Sequence, residues 1–441
     1  MKHVVIVGGG FAGLNCAKKL ATHPEIRITL IDKNNYQQFQ PLLYQVAAGF
    51  LAPSNVAFSL RNILVRHPNI EVKMDEVVSA DPATCTVTTA ARQTYRGDYL
   101  VLAAGSVANF FGTPGADQHS YPLYSLHDAE LLRSRILAVL EAADRDRSLI
   151  AKGALNFVLV GAGPTGTEMS GTLGDMIHHA LKQEYPNLPI NQTGIHIVDM
   201  GGAVLGAFSE SAQQYAARML EQRGVHIHLH TAVKEVADGH VVLSDGSHIP
   251  THTVVWAGGL RASELSQHVG LRPGHGSRID VEPDLTVSGY SNVYAIGDFA
   301  NITERGRVLP QLASVAEQAG KWCANNIAAE MKGKERKPFA YFDKGIMAMI
   351  GRAAAVAEMG PHRYELEGPL AFTAWLGVHA ALLSTTRARI EAFVEWAWDY
   401  FSEVKGDQVL DRFSQEDINW NEDSEAPPTA AQAQAKHASD A

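Results

Sequence analysis

The residues of this chain whose types and spacing point to chemistry are six glycines and two acids. Gly8, Gly10 and Gly13 form a G-x-G-x-x-G loop, and Asp32 follows 19 residues after Gly13. Gly161, Gly163 and Gly166 repeat the loop, and Asp199 closes the next apolar run. In such a loop the glycines have separate tasks: a tight turn, close backbone approach to a pyrophosphate, and close packing of helix on strand. The helix start behind it offers free N–H groups and a positive dipole end to phosphate. The acid is placed to accept hydrogen bonds from a ribose. One glycine loop is a weak signal, but two complete strand–loop–helix–strand–acid units in one chain are a specific one.

The elements that must hold these residues follow from the apolar pattern. His3-Val4-Val5-Ile6-Val7 is a short β-branched run, as a buried parallel strand requires. Leu14, Ala17 and Leu20/Ala21 recur at helical spacing, and Arg27 to Ile31 reads as a second strand. The second unit has a strand over Asn156 to Val160 and a helical face of Met169, Leu173, Met176, Ile177 and Ala180. Its next strand, Ile195 to Val198, ends in Asp199, after an insertion around Gln183 to Thr193. A carboxylate at Asp199 suits the free 2′-hydroxyl of NADH and repels a 2′-phosphate, so NADH is expected over NADPH. Strands run into glycine turns again from Tyr99 to Gly105 and from Thr253 to Gly258 and Gly259. A helix is expected from about His127 to Ala143, and strand pieces at Glu71 to Met74 and Cys85 to Thr89. Asn292 to Ile296 is a strand ending in Gly297-Asp298. An acid there either bonds the hydroxyls of a flavin dinucleotide or caps the next element.

At 441 residues the chain has room for two or three domains. Its net charge of -10 argues against a nucleic-acid partner. Cys16, Cys85 and Cys323 are far apart in sequence, with no C-x-x-C, so a disulfide framework, a zinc ribbon and a redox dithiol are disfavoured. With a first strand read from His3, no signal peptide is expected, and no stretch reaches the roughly 20 apolar residues of a spanning helix. His178-His179 and the alternating His226, His228 and His230 are expected to be solvated, with no metal.

With both fingerprints, the glycine turns and Gly297-Asp298 in place, the chain resembles the two-dinucleotide-domain flavoprotein reductases. Within them it is most similar to the type II NADH dehydrogenases, single-chain NADH:quinone oxidoreductases that do not pump protons. The closer match is carried by Phe39-Gln40-Pro41-Leu42-Leu43-Tyr44, Pro164-Thr165-Gly166-Thr167-Glu168, Tyr294-Ala295-Ile296-Gly297-Asp298, Phe342-Asp343-Lys344-Gly345 and Trp396-Ala397-Trp398-Asp399-Tyr400. It runs from about residue 3 to about 412.

That resemblance implies an α/β fold of two Rossmann-like domains and a C-terminal α+β membrane-docking domain. An FAD domain would span 1–112 and 285–337, an NADH domain 113–284, and the docking and dimerisation domain 338–412. FAD would lie on Gly8, Gly10, Phe11, Ala12, Gly13, Asp32 and Lys33, with Ala104, Gly105, Gly297 and Asp298. NADH would lie on Gly161, Gly163, Pro164, Thr165, Gly166 and Asp199, with Gly258 and Gly259. Glu168 matches the family's glutamate near the nicotinamide–flavin junction. Gln40, Pro41, Leu42, Gln311, Ser314 and Gln318 would face the quinone, with Gln318 a donor to its carbonyl and, with Glu168, catalytic. The chain departs from the family at Ser314, commonly a glutamine, and at Ala319, where a paired glutamine is usual.

Beyond Lys337-Pro338 the chain changes character. Residues 339–359 read as a two-stranded sheet, and Pro369 to Leu383 as a dense apolar run. Phe393, Trp396, Ala397, Tyr400, Phe401 and Val404 recur on one helical face. By themselves they fit a core-packed or dimer-forming helix as well as a membrane contact. The resemblance implies docking to the cytoplasmic face of the membrane, as a homodimer. Residues 413–441 are expected to be a disordered tail. Two other readings stand beside the quinone reductase: a soluble NADH-dependent reductase with a protein or oxygen acceptor, and an NADH-sensing flavoprotein with slow turnover.

Overall fold

A computed structural model describes residues 1–177, 184–401, 409–410 and 418–420. In chain order, β1 (Lys2–Val7), α1 (Phe11–Leu20), β2 (Ile26–Asp32), α2 (Leu43–Ala47), β3 (Ile70–Met74) and β4 (Tyr99–Leu102) come first. Then come β5 (Tyr121–Pro122), α3 (Leu126–Arg145), β6 (Asn156–Val160), α4 (Pro164–Asp175), β7 (Gly194–Val198), α5 (Glu210–Glu221), β8 (Val225–His228) and β9 (Thr253–Trp256). The chain ends with β10 (Val293–Ala295), α6 (Ala313–Glu330), β11 (Gly345–Gly351), β12 (Ala354–Met359), β13 (Tyr364–Glu367), α7 (Gly368–Leu382) and α8 (Thr386–Phe401).

Two five-stranded parallel sheets carry the two glycine loops. The first has the order β10-β4-β1-β2-β3 and the second β5-β9-β6-β7-β8. In each, the loop leaves a central strand, β1 or β6, whose last four residues are buried on both faces, as a sheet covered on both sides demands. β10 returns to the first sheet after the second is complete, pairing with β4 at Ala295 and Leu102.

The C-terminal sheet has three strands, not the two expected. Gly360 and Arg363, both at positive φ, reverse the chain so that Tyr364 pairs with Met359 and a short third strand follows. This sheet lies on α4: at Gly171 a side chain would collide with the Ile350 carbonyl, so a glycine is what lets β11 touch the helix.

Other expectations need correction. Cys85 sits in a turn at φ 51 just before the strand Thr86–Thr89. His230 leaves its strand, which ends at His228, and takes φ 53. Cys16 and Cys323, far apart in sequence, are neighbours in the core where α1 packs on α6, and both thiols are free. On α8, Phe393 and Trp396 part company. Trp396 turns inward with Ala388 and Ala392, while Ile390, Phe393, Val394 and Trp398 face out, because the apolar stripe is wider than the contact it makes. Within the assigned tail, Trp420 packs on the His252 ring at 4.5 Å and its carbonyl accepts from Lys152 Nζ at 2.7 Å. His178, His179, Ala180, Val404, the tail apart from residues 418–420, and the side chains of Tyr400 and Phe401 lie outside the described residues. Among those described, no helix is long and apolar enough to cross a membrane.

Candidate active site

The first loop is built so that backbone, not side chains, faces the ligand. Gly8 takes φ 99, and a side chain there or at Gly13 would run into the Ala103 or Gly8 carbonyl. Gly10 is different: a Cβ there would meet nothing within 4 Å. It caps the start of α1 and opens onto free space, the cradle a pyrophosphate needs. Phe11 and Ala12 begin the helix, and Lys33 is exposed beside the acid. Asp32 Oδ2 accepts from Gly9 N–H at 2.6 Å and Oδ1 from Asn34 N–H at 2.7 Å. Burial pushes its carboxyl up, and those two donors oppose the rise.

The second loop repeats this construction. Gly161 is at φ 103, Gly163 faces open space, and Pro164 starts α4, where its missing N–H costs nothing. Asp199 Oδ2 accepts from Ala162 N–H at 2.6 Å, so the acid closes under the loop as Asp32 does under the first. Gly259, at φ 147, lies against the exposed Phe111 ring, and its carbonyl accepts from Asn109 N–H at 3.0 Å.

Gly297 and Asp298 stand at the end of β10, and Gly105 with Ala104 at the end of β4 beside it. Asp298 does not act as a side-chain cap there. Its Oδ2 instead accepts from Ser106 Oγ at 3.0 Å and from Tyr124 OH at 3.3 Å, and burial pushes its carboxyl up. Gln311 donates to the Asp298 carbonyl at 3.2 Å. Ser106 and Tyr124 carried no sequence signal as site residues; only the fold brings them to Asp298.

Glu168 lies one turn into α4, fully inside the protein. Its Oε1 accepts from the backbone N–H of Met349 on β11 at 3.2 Å. Burial pushes the carboxyl up to about 8, opposed by the Met349 N–H and then the Trp375 indole N–H. Burial therefore favours the protonated carboxyl near neutral pH, the state in which such a group can donate a proton.

The residues expected on the quinone side divide. Gln40, Pro41 and Leu42 form one 3-10 turn, with Leu42 buried and the Gln40 Oε1 atom buried without a partner. Gln318, in contrast, has its amide engaged at both ends: it donates to the Phe342 carbonyl at 3.0 Å and accepts from Phe342 N–H at 2.9 Å. It staples the linker to α6 rather than standing free. Ser314 shares a 2.8 Å hydrogen bond with Tyr341 OH. Among the described residues no group of three or more histidines, cysteines or acids is arranged to hold a metal.

Two parallel sheets, each with a glycine loop above its own acid, define an oxidoreductase built on two dinucleotide sites. The family described as pyridine nucleotide-disulphide oxidoreductase matches residues 2–320. A type II NADH:quinone oxidoreductase of Mycobacterium tuberculosis is 35% identical over 423 residues, covering 92% of this chain and 90% of the relative. One of Staphylococcus aureus is 32% identical over 367 residues, covering 79% and 88%. The solved structure of NDH2 from Plasmodium falciparum in complex with NADH shares the fold, with a TM-score of 0.82 over 91% of this chain and 99% of that one, at 20% identity. The chain belongs to the pyridine nucleotide-disulphide oxidoreductase family and, within it, to the type II NADH:quinone oxidoreductases.

Proposed function

We propose that the protein oxidises NADH by way of FAD and passes two electrons to a membrane quinone, without pumping protons. FAD, when bound, supplies the hydride-accepting and electron-delivering chemistry. Gly8, Gly10 and Gly13 with the start of α1 fit its pyrophosphate, Asp32 its ribose, and Asp298 its hydroxylated chain. Gly161, Gly163 and Gly166 with the start of α4 fit the pyrophosphate of NADH, and Asp199 its ribose. Glu168 holds a proton close to the second loop, in a pocket closed by β11 and α7.

The observation that carries the choice of acceptor is the outer face of α8. Ile390, Phe393, Val394 and Trp398 are each more than half exposed on one stretch of helix. A large contiguous apolar patch marks a docking surface, and aromatic side chains suit the headgroup level of a bilayer. With a net charge of -10, attachment to an acidic membrane rests on that apolar burial. A lipid-soluble acceptor is reached from such a position; a soluble protein acceptor has no need of it. Docking at the cytoplasmic face and pairing of two copies belong to the same reading.

Anaerobic stopped flow tests it. Flavin absorbance is followed as NADH is added to the holoenzyme, and then as menadione or a short-chain ubiquinone is added. Fast bleaching and fast recovery are expected. Fast bleaching with sluggish recovery would sink the quinone and favour a protein acceptor; slow bleaching would favour a sensor.

A further inference from the structure

A buried hydrogen-bond chain runs from the C-terminal helix to the Glu168 pocket. Trp396 Nε1 on α8 donates to Gln45 Oε1 at 2.7 Å, and Gln45 Nε2 donates to Tyr44 OH at 3.1 Å. Tyr44 OH in turn points to Met349 Sδ at 3.8 Å, and the Met349 N–H holds Glu168. Gln45, Tyr44, Met349 and Glu168 are all buried, and Trp396 nearly so. Trp396, Gln45 and Tyr44 are bonded one to the next, and buried polar groups joined in series fix one another's geometry.

We propose that Tyr44 is a positioning residue for Glu168, held by Gln45 and Trp396, so that the C-terminal helix sets the surroundings of the carboxyl from a distance. Tyr44 anchors the Met349 side chain, and Met349 presents the N–H that the carboxyl accepts. The Met349 N–H from β11 and the Trp375 indole from α7 act on the Glu168 carboxyl, and Tyr44 on α2 lies close enough that a charge on Glu168 opposes ionisation of its hydroxyl. His379, the titratable group behind that indole, stacks on it at 4.1 Å, and burial keeps its imidazole neutral. Removing the Tyr44 hydroxyl takes a polar group from beside a buried carboxyl and loosens the Met349 N–H. Both changes disfavour the carboxylate and raise the proton affinity of Glu168.

The test is an infrared titration of the protonated Glu168 carboxyl in the holoenzyme, assigned by its loss in Glu168→Gln. Tyr44→Phe should move the midpoint upward by about half a unit or more, and Trp396→Phe in the same direction by less. The double variant should match Tyr44→Phe alone, since both cut one chain. An unmoved midpoint in Tyr44→Phe, or additive shifts in the double variant, would overturn the proposal. If Tyr44→Phe does not fold, Trp396→Phe, which keeps a ring against Trp375, decides by itself: no shift there overturns it. The functional weight of the inference rests on Glu168 acting at the nicotinamide–flavin junction. The titration reads the carboxyl directly. If NADH reduction rates ignore a midpoint that does move, the junction role fails and the positioning role stands.

Discussion

The Met349 backbone N–H and the Glu168 carboxyl meet at 3.2 Å although 181 positions separate them in the chain. That bond makes the C-terminal sheet one wall of the carboxyl's pocket, and burial in that pocket sets how stability depends on pH. Burial lifts Glu168 from 4.5 to about 8, so the folded protein keeps a proton that the unfolded chain has released. The stability of the neutral carboxyl is full below pH 4.5 and is lost as pH rises through about 8. Glu168→Gln keeps the shape and stays neutral throughout. It should therefore gain on the wild type by on the order of 2–4 kcal/mol between about pH 5 and pH 9. Urea midpoints of both proteins across that range check the expectation, and parallel curves would reject it.

On the proposed reading, Asp199 sets the choice between NADH and NADPH. Its carboxylate is oriented by Ala162 N–H, and an orientation of that kind presents negative charge to a 2′-phosphate. Asp199→Asn keeps an acceptor but drops the charge. NADH should lose about tenfold in kcat/KM and NADPH should lose nothing or gain. Steady-state rates with both nucleotides at one ionic strength measure this. An unchanged ratio would show that the discrimination lies elsewhere.

The periodic parts of the molecule were legible before the structure. Two β-branched runs, two glycine loops and two terminal acids use local rules, and the observed sheets place them as those rules require. What stayed hidden depends on long-range contact. Tyr124 reaches Asp298 across 174 positions and Met349 reaches Glu168 across 181, and neither spacing leaves a mark in the chain. The resemblance makes Gln318 a donor to a quinone carbonyl, yet Phe342 engages both ends of its amide. Trp396 shares helical phase with Phe393, but it lies at the edge of the stripe where Trp375 waits at 5.6 Å. Phase alone does not say which part of a wide apolar face is covered.

Two glycines of the first loop should fail in different ways. A methyl at Gly13 would strike the Gly8 carbonyl, so Gly13→Ala should cost about 1–3 kcal/mol of stability even without flavin. A methyl at Gly10 meets no protein atom and projects into the open cradle. Gly10→Ala should keep the fold and the melting temperature of the apoprotein while its flavin content falls severalfold. Flavin absorbance per protein, read beside melting of the flavin-free forms, separates the two. Equal apoprotein melting in both variants would show that the Gly13 contact relaxes freely.

The outer face of α8 offers a contrast with its inner face. Phe393 and Trp398 are each more than 60% exposed, so replacing both with serine removes apolar surface without opening the core. Burying such side chains contributes about 1.5–3 kcal/mol apiece. The Phe393→Ser, Trp398→Ser variant should therefore bind anionic vesicles at least about tenfold more weakly, with its melting temperature unchanged. Its rate with a water-soluble quinone should stay at the wild-type value, while its rate with a long-chain quinone in vesicles falls. Vesicle flotation and both assays together decide the matter. Flotation that persists with the face removed would place the attachment outside α8, and a loss of melting temperature would mean that the face is covered by protein, a second copy included, rather than by lipid.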